Sequence, residues 1–398
     1  MRFDVAVVGG GPCGAIAGRY AAASGARTVI IEEHPAIGEP VQCAGIISRR
    51  AADACEVGRG DFLIRTVQGA YINSPGHRLR IDGHEEKAWI IDRRIFDREL
   101  ISRALDAGCE LLLRSRVLGG RCNRLDVRID GEREVIEAGI IIAAEGVQRR
   151  ITRMYLGDLS LPRIIPGIQA EVRCDIEDPG FVEIFLGEKI APGFFAWLIP
   201  VEDGFARAGL CVARSGIKEP PLSYLERFLK GTRSIKGSIT DFVVGGIPVG
   251  MAERTVSDGF IAVGDAAGQV KPTTGGGIYP GAVCARIAGK VAAEASLDGD
   301  TSRKRLFEYE RAWRALIGRE LAVGLRIHRW FAGLDDEELD RFIDLLSDPE
   351  IVRVIEDFGD MDKPSILLKK FFDLPKMKVA ALILSLIRSG LNEKLLGR

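Results

Sequence analysis

The sequence predicts an α/β fold: a doubly wound parallel sheet interrupted by an antiparallel one and followed by a helical C-terminal region. Three observations predict it. The chain opens on a buried-strand pattern, Phe3-Asp4-Val5-Ala6-Val7-Val8, which runs through Gly9-Gly10-Gly11-Pro12-Cys13-Gly14 into small residues from Ala15 to Ala23 that read as a helix packed on that strand. A second buried strand, Phe260-Ile261-Ala262-Val263, also leads into glycines and a small-residue helix, ending near Ala295, so the chain returns to its first domain. Between about 151 and 244, strand patterns follow one another without helices: Gly167 to Cys174, Val182 to Leu186, Phe194 to Pro200 and Ala206 to Ala213. Such a run argues for an inserted antiparallel sheet rather than further βαβ units.

At the first turn, Gly9, Gly11 and Gly14 fit G-x-G-x-x-G. Gly9 allows the tight turn, Gly11 lets the backbone approach a pyrophosphate, and Gly14 lets helix and strand touch. The helix N-terminus offers unpaired N–H groups and partial positive charge to the phosphates. The next strand, Thr28-Val29-Ile30-Ile31, ends in Glu32, about twenty residues beyond the first glycine, where an acid accepts from ribose hydroxyls. Strand, turn, helix, strand and acid in this order describe a Rossmann-like dinucleotide site; the motif alone does not separate FAD from NAD.

Hydrophobic content of 46% and charged content of 28% describe an ordinary globular chain, and 398 residues suffice for two or three domains. With 55 basic and 56 acidic side chains there is no global field to attract nucleic acid, so no nucleic-acid partner is expected. The first strand begins two residues after Met1, leaving no room for a leader, and the eight cysteines are scattered without a C-x-x-C pair. A reducing, cytoplasmic setting is expected, without zinc or disulfides. Apolar runs such as Val379 to Leu384 fall short of the ~20 residues that span a bilayer.

After Glu32 the Pro- and Gly-rich stretch from Glu33 to Gly45 is a loop leaving the sheet edge where the nucleotide sits. Cys43 within it either faces a cofactor ring or is a buried inert thiol. Thr66 to Ile72, Leu79 to Ile81 and Trp89 to Ile91 read as strands outside the parallel sheet. Arg93 opens a helix with Phe96, Leu100, Ile101 and Leu105 on one face, as a solvated residue or a pyrophosphate partner. Ile140-Ile141-Ile142-Ala143-Ala144 ends in Glu145-Gly146, again an acid at a strand's carboxyl end. Phe181, Phe185, Phe194, Phe195 and Trp197 form either a sheet core or an apolar substrate wall. Asp265, at the end of the returning strand, joins Glu32 and Glu145 along one crevice. The second helix start near Gly276 offers a positive end to the N1–C2=O edge of an isoalloxazine, which carries charge when reduced.

From 304 onward Leu306, Tyr309, Trp313, Ile317, Leu321 and Gly324 recur at helical spacing, while Asp335 with Glu338, and Asp348-Pro349, mark further helix starts. His328 sits in this helical pattern as a structural residue. Lys376 to Arg388 is apolar with basic flanks and suits either an anionic membrane surface or packing on the main body.

Taken together, G-G-G-P-x-G at 9 to 14, Glu32, Arg93-x-x-Phe96-Asp97, Ala143-Ala144-Glu145-Gly146 and Val263-Gly264-Asp265-Ala266 resemble the FAD-dependent oxidoreductases of the p-hydroxybenzoate hydroxylase superfamily. Pro40-Val41-Gln42-Cys43-Ala44-Gly45, Pro272-Thr273-Thr274-Gly275-Gly276-Gly277-Ile278 and the helical C-terminal third look most like its archaeal geranylgeranyl reductases. Phe195-Ala196-Trp197-Leu198-Ile199-Pro200 followed by Gly209 is similar to that family's substrate-wall pattern Y-x-W-x-F-P…G-x-G. Phe195 replaces the Tyr, Ile199 the Phe, Cys211 the second Gly, and Glu145 the usual Asp of its own motif.

The resemblance implies FAD, with Gly9, Gly11, Pro12, Cys13 and Gly14 on the pyrophosphate and Glu32 and Glu33 at the adenosine ribose. It implies Arg93 and Val117 against the cofactor, Glu145 and Gly146 at the second motif, and Gly264 and Asp265 at the ribityl chain. Gly275, Gly276, Gly277 and Ile278 would face the flavin pyrimidine edge, with Cys43, Ala44 and Gly45 beside the ring and Cys43 catalytic. Phe195, Trp197, Pro200 and Gly209 would bind substrate. The domains implied are 1–60, 90–150 and 245–295 for FAD, 61–89 and 151–244 for substrate, and 296–398 as the helical region. The expected activity is flavin-dependent reduction of isolated C=C bonds in a polyprenyl lipid, with NADPH, a reduced deazaflavin or ferredoxin as donor. The alternatives are an FAD monooxygenase of an aromatic or prenylated substrate and a non-catalytic flavin- or lipid-binding protein.

Overall fold

The structure, a computed structural model, describes residues 1–158, 161–202, 204–214, 219–375 and 378. Apart from Lys378, the basic-flanked segment Lys376–Arg388 lies outside the described residues.

Strand Arg2–Val8 is apolar and buried from Val5 onward, where both its faces are covered. It sits at the centre of a parallel array ordered Phe260–Ala262, Glu132–Ala143, Arg2–Val8, Thr28–Ile31, Glu110–Leu112. A hairpin, Ser115–Arg121 with Arg124–Ile129, pairs antiparallel onto Glu132–Ala143. One face carries the helices Pro12–Ala23, Arg93–Asp106 and Ile278–Leu297, whose Ala15, Ala17, Ala21, Ala282, Ala285, Ala288 and Ala292 are fully buried. Their small side chains let backbones come close. A Cβ at Gly289 would collide with the Ala17 carbonyl. The two glycine-started helices are thus neighbours, and their N-termini open on the same end of the sheet.

The second sheet has seven strands in the order Ile235–Val249, Arg163–Cys174, Phe205–Cys211, Ala196–Pro200, Phe181–Phe185, Gly69–Asn73, Arg78–Asp82. Its pairs are antiparallel except Phe181–Phe185 with Gly69–Asn73. A small third sheet, Ile46–Ser48, Ala88–Ile91 and Leu63–Val67, joins the two. Strand Ile235–Val249 runs past residue 244, where the breakers Gly245, Gly246 and Pro248 suggest its end. It persists because it is an edge strand, in which Pro is tolerated.

Alternation gives this sheet two distinct faces. On the outer one, Ala196, Leu198, Ala206, Ala208 and Leu210 pack under helix Pro221–Gly231 through Tyr224, Leu225 and Phe228. The inner one faces the first domain. Its far half, at Ile72, Leu79, Ile81 and Ile184, is covered by Trp330, Leu339, Phe342 and Ile343 of the C-terminal helices. Those helices start where capping chemistry dictates. Asp335 and Glu338 form a reciprocal capping box for Asp336–Leu346, and Asp348 caps Pro349–Phe358. Among the described residues no helix is long and apolar enough to cross a membrane.

Candidate functional site

The first helix start is a cradle of backbone. Gly9 holds φ +107°, and a Cβ there would overlap the Ala144 carbonyl; one on Gly14 would overlap the Gly9 carbonyl. At Gly11 the direction a side chain would take is open space, with nothing within 4 Å. Gly11 gives the helix Pro12–Ala23 no side-chain cap, so the first-turn N–H groups point into this opening. The geometry fits the pyrophosphate of an adenine dinucleotide. Cys13 contributes backbone only. Its Sγ is wedged where Gly264 and Gly281 lack side chains, and burial, with Asp265 nearby, pushes its thiol far up.

Glu32 is 9% exposed at the end of Thr28–Ile31. One oxygen accepts from Gly10 N at 2.7 Å, and the other from His34 N at 2.9 Å and faces His34 Nδ1 at 2.6 Å. Its carboxylate is therefore fixed beside the cradle. Glu33 turns outward to Arg116 at 3.2 Å and Gln148 at 3.0 Å. Val117 is buried in the core under the hairpin. Glu145, expected to serve the cofactor, instead caps the helix Arg150–Leu156, accepting from Ile151 N at 2.9 Å and Thr152 N at 2.6 Å. Gly146 lies in the short helical turn that follows.

Around the second helix start, Asp265 is half-buried against Gly277, whose missing Cβ would stand 2.8 Å from Oδ1. Burial pushes this carboxyl up, while Arg149 and Arg93 pull it back. Arg149, which the sequence reading passed over, is 1% exposed, donates to the Pro162 and Asp265 carbonyls at 2.6 and 3.2 Å, and leaves Nε buried without a hydrogen-bond partner. Burial lowers its guanidinium to about 10. Gly275, at φ +73°, abuts the Ile247 side chain of the inserted sheet, and Ile278 begins the helix.

Between the two starts lies the Cys43 loop. Cys43 Sγ accepts from Gly45 N at 3.3 Å and sits against Arg93. Arg93 makes a bidentate pair with Asp97, both contacts 2.9 Å. Burial opposes its charge, and Asp97 with Cys43 more than restores it, holding the guanidinium above its ordinary range. The loop is stitched to the inserted sheet by two residues absent from the sequence reading. Gln169 donates to the Cys43 carbonyl at 3.3 Å and accepts from Trp197 Nε1 at 2.9 Å. Arg207 donates to the carbonyls of Ala44 and Ile91 at 3.0 and 3.1 Å. Both are polar residues at strand positions that share a face with Trp197, a signal that alternation carries.

Register explains the substrate wall. One row across the inner face reads Val243, Gln169, Gly209, Trp197; a Cβ on Gly209 would strike the Trp197 ring. The adjoining row reads Gly245, Gly167, Cys211. Cys211 Sγ fills the space over Gly167, 2.8 Å from where a Cβ would stand, while the space over Gly245 is open. The next pair is Ile165 and Ile247, the latter touching Gly275. Phe195 packs edge-on to Trp197 at 6.1 Å and joins this face to the cluster under the C-terminal helices. Pro200, three residues from Trp197, falls on the opposite face by the two-residue period. There it lines a cavity of about 540 Å³ with Leu198, Phe181 and Phe228. This apolar wall thus runs between the Cys43 loop and Gly275.

The comparisons with known proteins agree with this geometry. A model of the geranylgeranyl reductase catalytic domain matches residues 164–247, and a model of FAD-dependent oxidoreductases matches residues 4–146. Digeranylgeranylglycerophospholipid reductase 2 of Methanothermobacter thermautotrophicus is 36% identical over 388 residues, covering 91% of this chain and 98% of the relative. The digeranylgeranylglycerophospholipid reductase of Methanothrix thermoacetophila is 34% identical over 371 residues, covering 89% and 94%. A solved geranylgeranyl bacteriochlorophyll reductase-like protein from Thermoplasma acidophilum superposes with TM-score 0.83 at 29% identity over 94% of this chain and 99% of that one. The flavin-dependent halogenase CndH, at 17% identity and TM-score 0.64, shares the fold, covering 98% of this chain and 99% of its own.

Proposed function

The chain belongs to the family of archaeal digeranylgeranylglycerophospholipid reductases, and we propose that it saturates isolated C=C bonds of geranylgeranyl chains on membrane-lipid precursors. It is an FAD-dependent oxidoreductase. Bound FAD, once reduced, supplies the hydride; a proton completes the addition across each double bond. The N–H groups at Cys13 and Gly14 would hold the pyrophosphate, Glu32 the ribose, and Gly275 to Gly277 the pyrimidine edge.

The observation that supports the reading is the apolar wall of Trp197, Phe195, Ile165 and Ile247 between the Cys43 loop and Gly275, with open space over Gly245. An unactivated alkene develops no oxyanion, so the protein's work is to position an apolar chain and keep water away. The open space over Gly245 would admit the chain, and Trp197, Phe195, Ile165 and Ile247 would wall it. The Trp197–Gln169–Cys43 hydrogen bonds fix that wall to the loop, so substrate contact and the proposed catalytic residue move together. The Cys43 thiol would deliver the proton that completes the addition.

Anaerobic incubation of the protein with dithionite and a geranylgeranylated glycerophospholipid tests this. Mass spectrometry should show two hydrogens gained per bond reduced. Product gaining oxygen only in air would establish the hydroxylase instead, and unchanged lipid would sink the reading. The donor belongs to the set NADPH, reduced deazaflavin and ferredoxin, ranked by the rate at which each bleaches the flavin. Peripheral contact with the membrane is assigned to Lys376–Arg388, and flotation with anionic vesicles should weaken in a chain ending at Pro375.

A further inference from the structure

The loop before the second helix start carries a buried ion pair that holding a cofactor does not require. Lys271 is 8% exposed and Asp362 4%, and Lys271 Nζ donates to Asp362 Oδ1 at 2.6 Å. The lysine underlies the glycines. A Cβ on Gly276 would stand 3.1 Å from Nζ, Lys271 N donates to the Gly276 carbonyl at 3.2 Å, and Gly275 N donates to the Lys271 carbonyl at 2.9 Å. Asp362 arrives from far along the chain, in the turn between Pro349–Phe358 and Pro364–Phe371. That turn is itself fastened. Asp360 accepts from the N–H groups of Asp362 and Lys363 at 2.8 and 3.1 Å and from Arg50 Nη2 at 2.7 Å, and Arg50 Nε stands 3.9 Å from Asp362 Oδ2.

Stability does not account for the pair, because taking two charges out of water costs about what their attraction returns, and apolar residues of similar volume serve as well. Location does. A buried cation beneath a helix N-terminus strengthens the preference of that end for negative charge, and charge near the flavin pyrimidine tunes its electronics. We infer that Lys271 and Asp362 are positioning residues that set the reduction potential of the flavin at Gly275–Gly277, the lysine favouring the reduced form and the aspartate moderating it. The inference rests on the reading above that puts the pyrimidine edge at these glycines. It also gives the C-terminal region a task at the redox centre, where Asp362 joins Gly324 against the loop before the second helix start.

The test is the flavin midpoint potential of the full-length holoprotein, measured by reductive titration against a reference dye. Asp362→Asn leaves the lysine uncompensated and should raise the potential. Lys271→Met should lower it. Each shift should correspond to at least a tenfold change in the reduction equilibrium, about 30 mV for a two-electron couple. The Lys271→Met/Asp362→Leu double variant, with no buried charge left unpaired, should fold and fall between the singles. Shifts of the same sign in both single variants, none in either, or a double variant outside the range of the singles, overturn the inference while FAD binding stands. A wild-type protein without FAD, or Gly276→Val with flavin retention and spectrum unchanged, overturns the reading beneath it as well.

Discussion

At the first helix start, everything that shapes the cradle comes from one short stretch: strand Arg2–Val8, the turn at Gly9, helix Pro12–Ala23 and Glu32 at the end of the next strand. At the second, the glycines of 275–277 are shaped from a distance. Ile247 of the inserted sheet abuts Gly275, Asp265 lies against Gly277, Lys271 is clamped by Asp362, and Gly324 of helix Arg319–Phe331 lies against Pro272. The first is a local motif; the second is an assembly point where three parts of the chain meet. Phosphate binding needs only donors in a fixed turn, whereas placing a redox ring against a substrate couples the cofactor's position to that of the wall.

Four expected outcomes sharpen or break this contrast, in falling order of effect. Gly14→Val drives side-chain atoms into the Gly9 carbonyl, which cannot retreat without opening the strand. It should cost at least the ~3 kcal/mol at the top of the overpacking range and abolish FAD retention, read by denaturant melts and flavin absorbance. A stable, yellow Gly14→Val protein would mean that the first start is not a tightly built local unit.

His328 tests the outer support of the second start, on the same helix as Gly324. Burial, with Arg329 and Arg163 nearby, lowers its imidazole from 6.5 to about 4. The unfolded chain binds this proton first, so the stability from a neutral His328 is complete above pH 6.5 and is lost as pH falls from there toward 4. The loss reaches up to about 3 kcal/mol. Melts across that window should flatten in His328→Phe, and an identical pH slope in the variant would remove His328 from the account.

Glu32→Gln keeps the shape but removes the charge that accepts from Gly10 N and His34. Hydrogen bonds to charged groups contribute about 1.5–3 kcal/mol, so FAD affinity should fall roughly 10- to 100-fold by titration of the apoprotein. Gly275→Ala meets both its positive φ and Ile247, and should cost about 1–2 kcal/mol from the backbone alone. Adding Ile247→Ala should relieve the contact without relieving the backbone. Coupling between the two in a double-mutant cycle would tie the second start to the inserted sheet, and strict additivity would separate them.

The same contrast decides what could be read early. Gly9, Gly11, Gly14 and Glu32 were legible because each acts within one βαβ unit, where spacing fixes position. Asp335 with Glu338 was legible for the same reason, a capping box being complete within four residues. Glu145 has the acid-at-strand-end signature yet spends its carboxylate on the N–H groups of Ile151 and Thr152, since a nearby helix start competes for the same acceptor. Pro200 shares a motif with Trp197 but not a face, because a strand turns over at every residue.

By itself the sequence determined the parallel sheet, its first glycine turn, the antiparallel insertion and the helical end, since hydrophobic period, glycine spacing and capping act over a few residues. Only the tertiary structure decided that Gly245, Gly167 and Cys211 form one row and that Gln169 and Arg207 lock the Cys43 loop to the sheet. It alone decided too that Asp362 reaches Lys271. These contacts join residues tens to hundreds of positions apart, and no local pattern records a distance that only register and packing create.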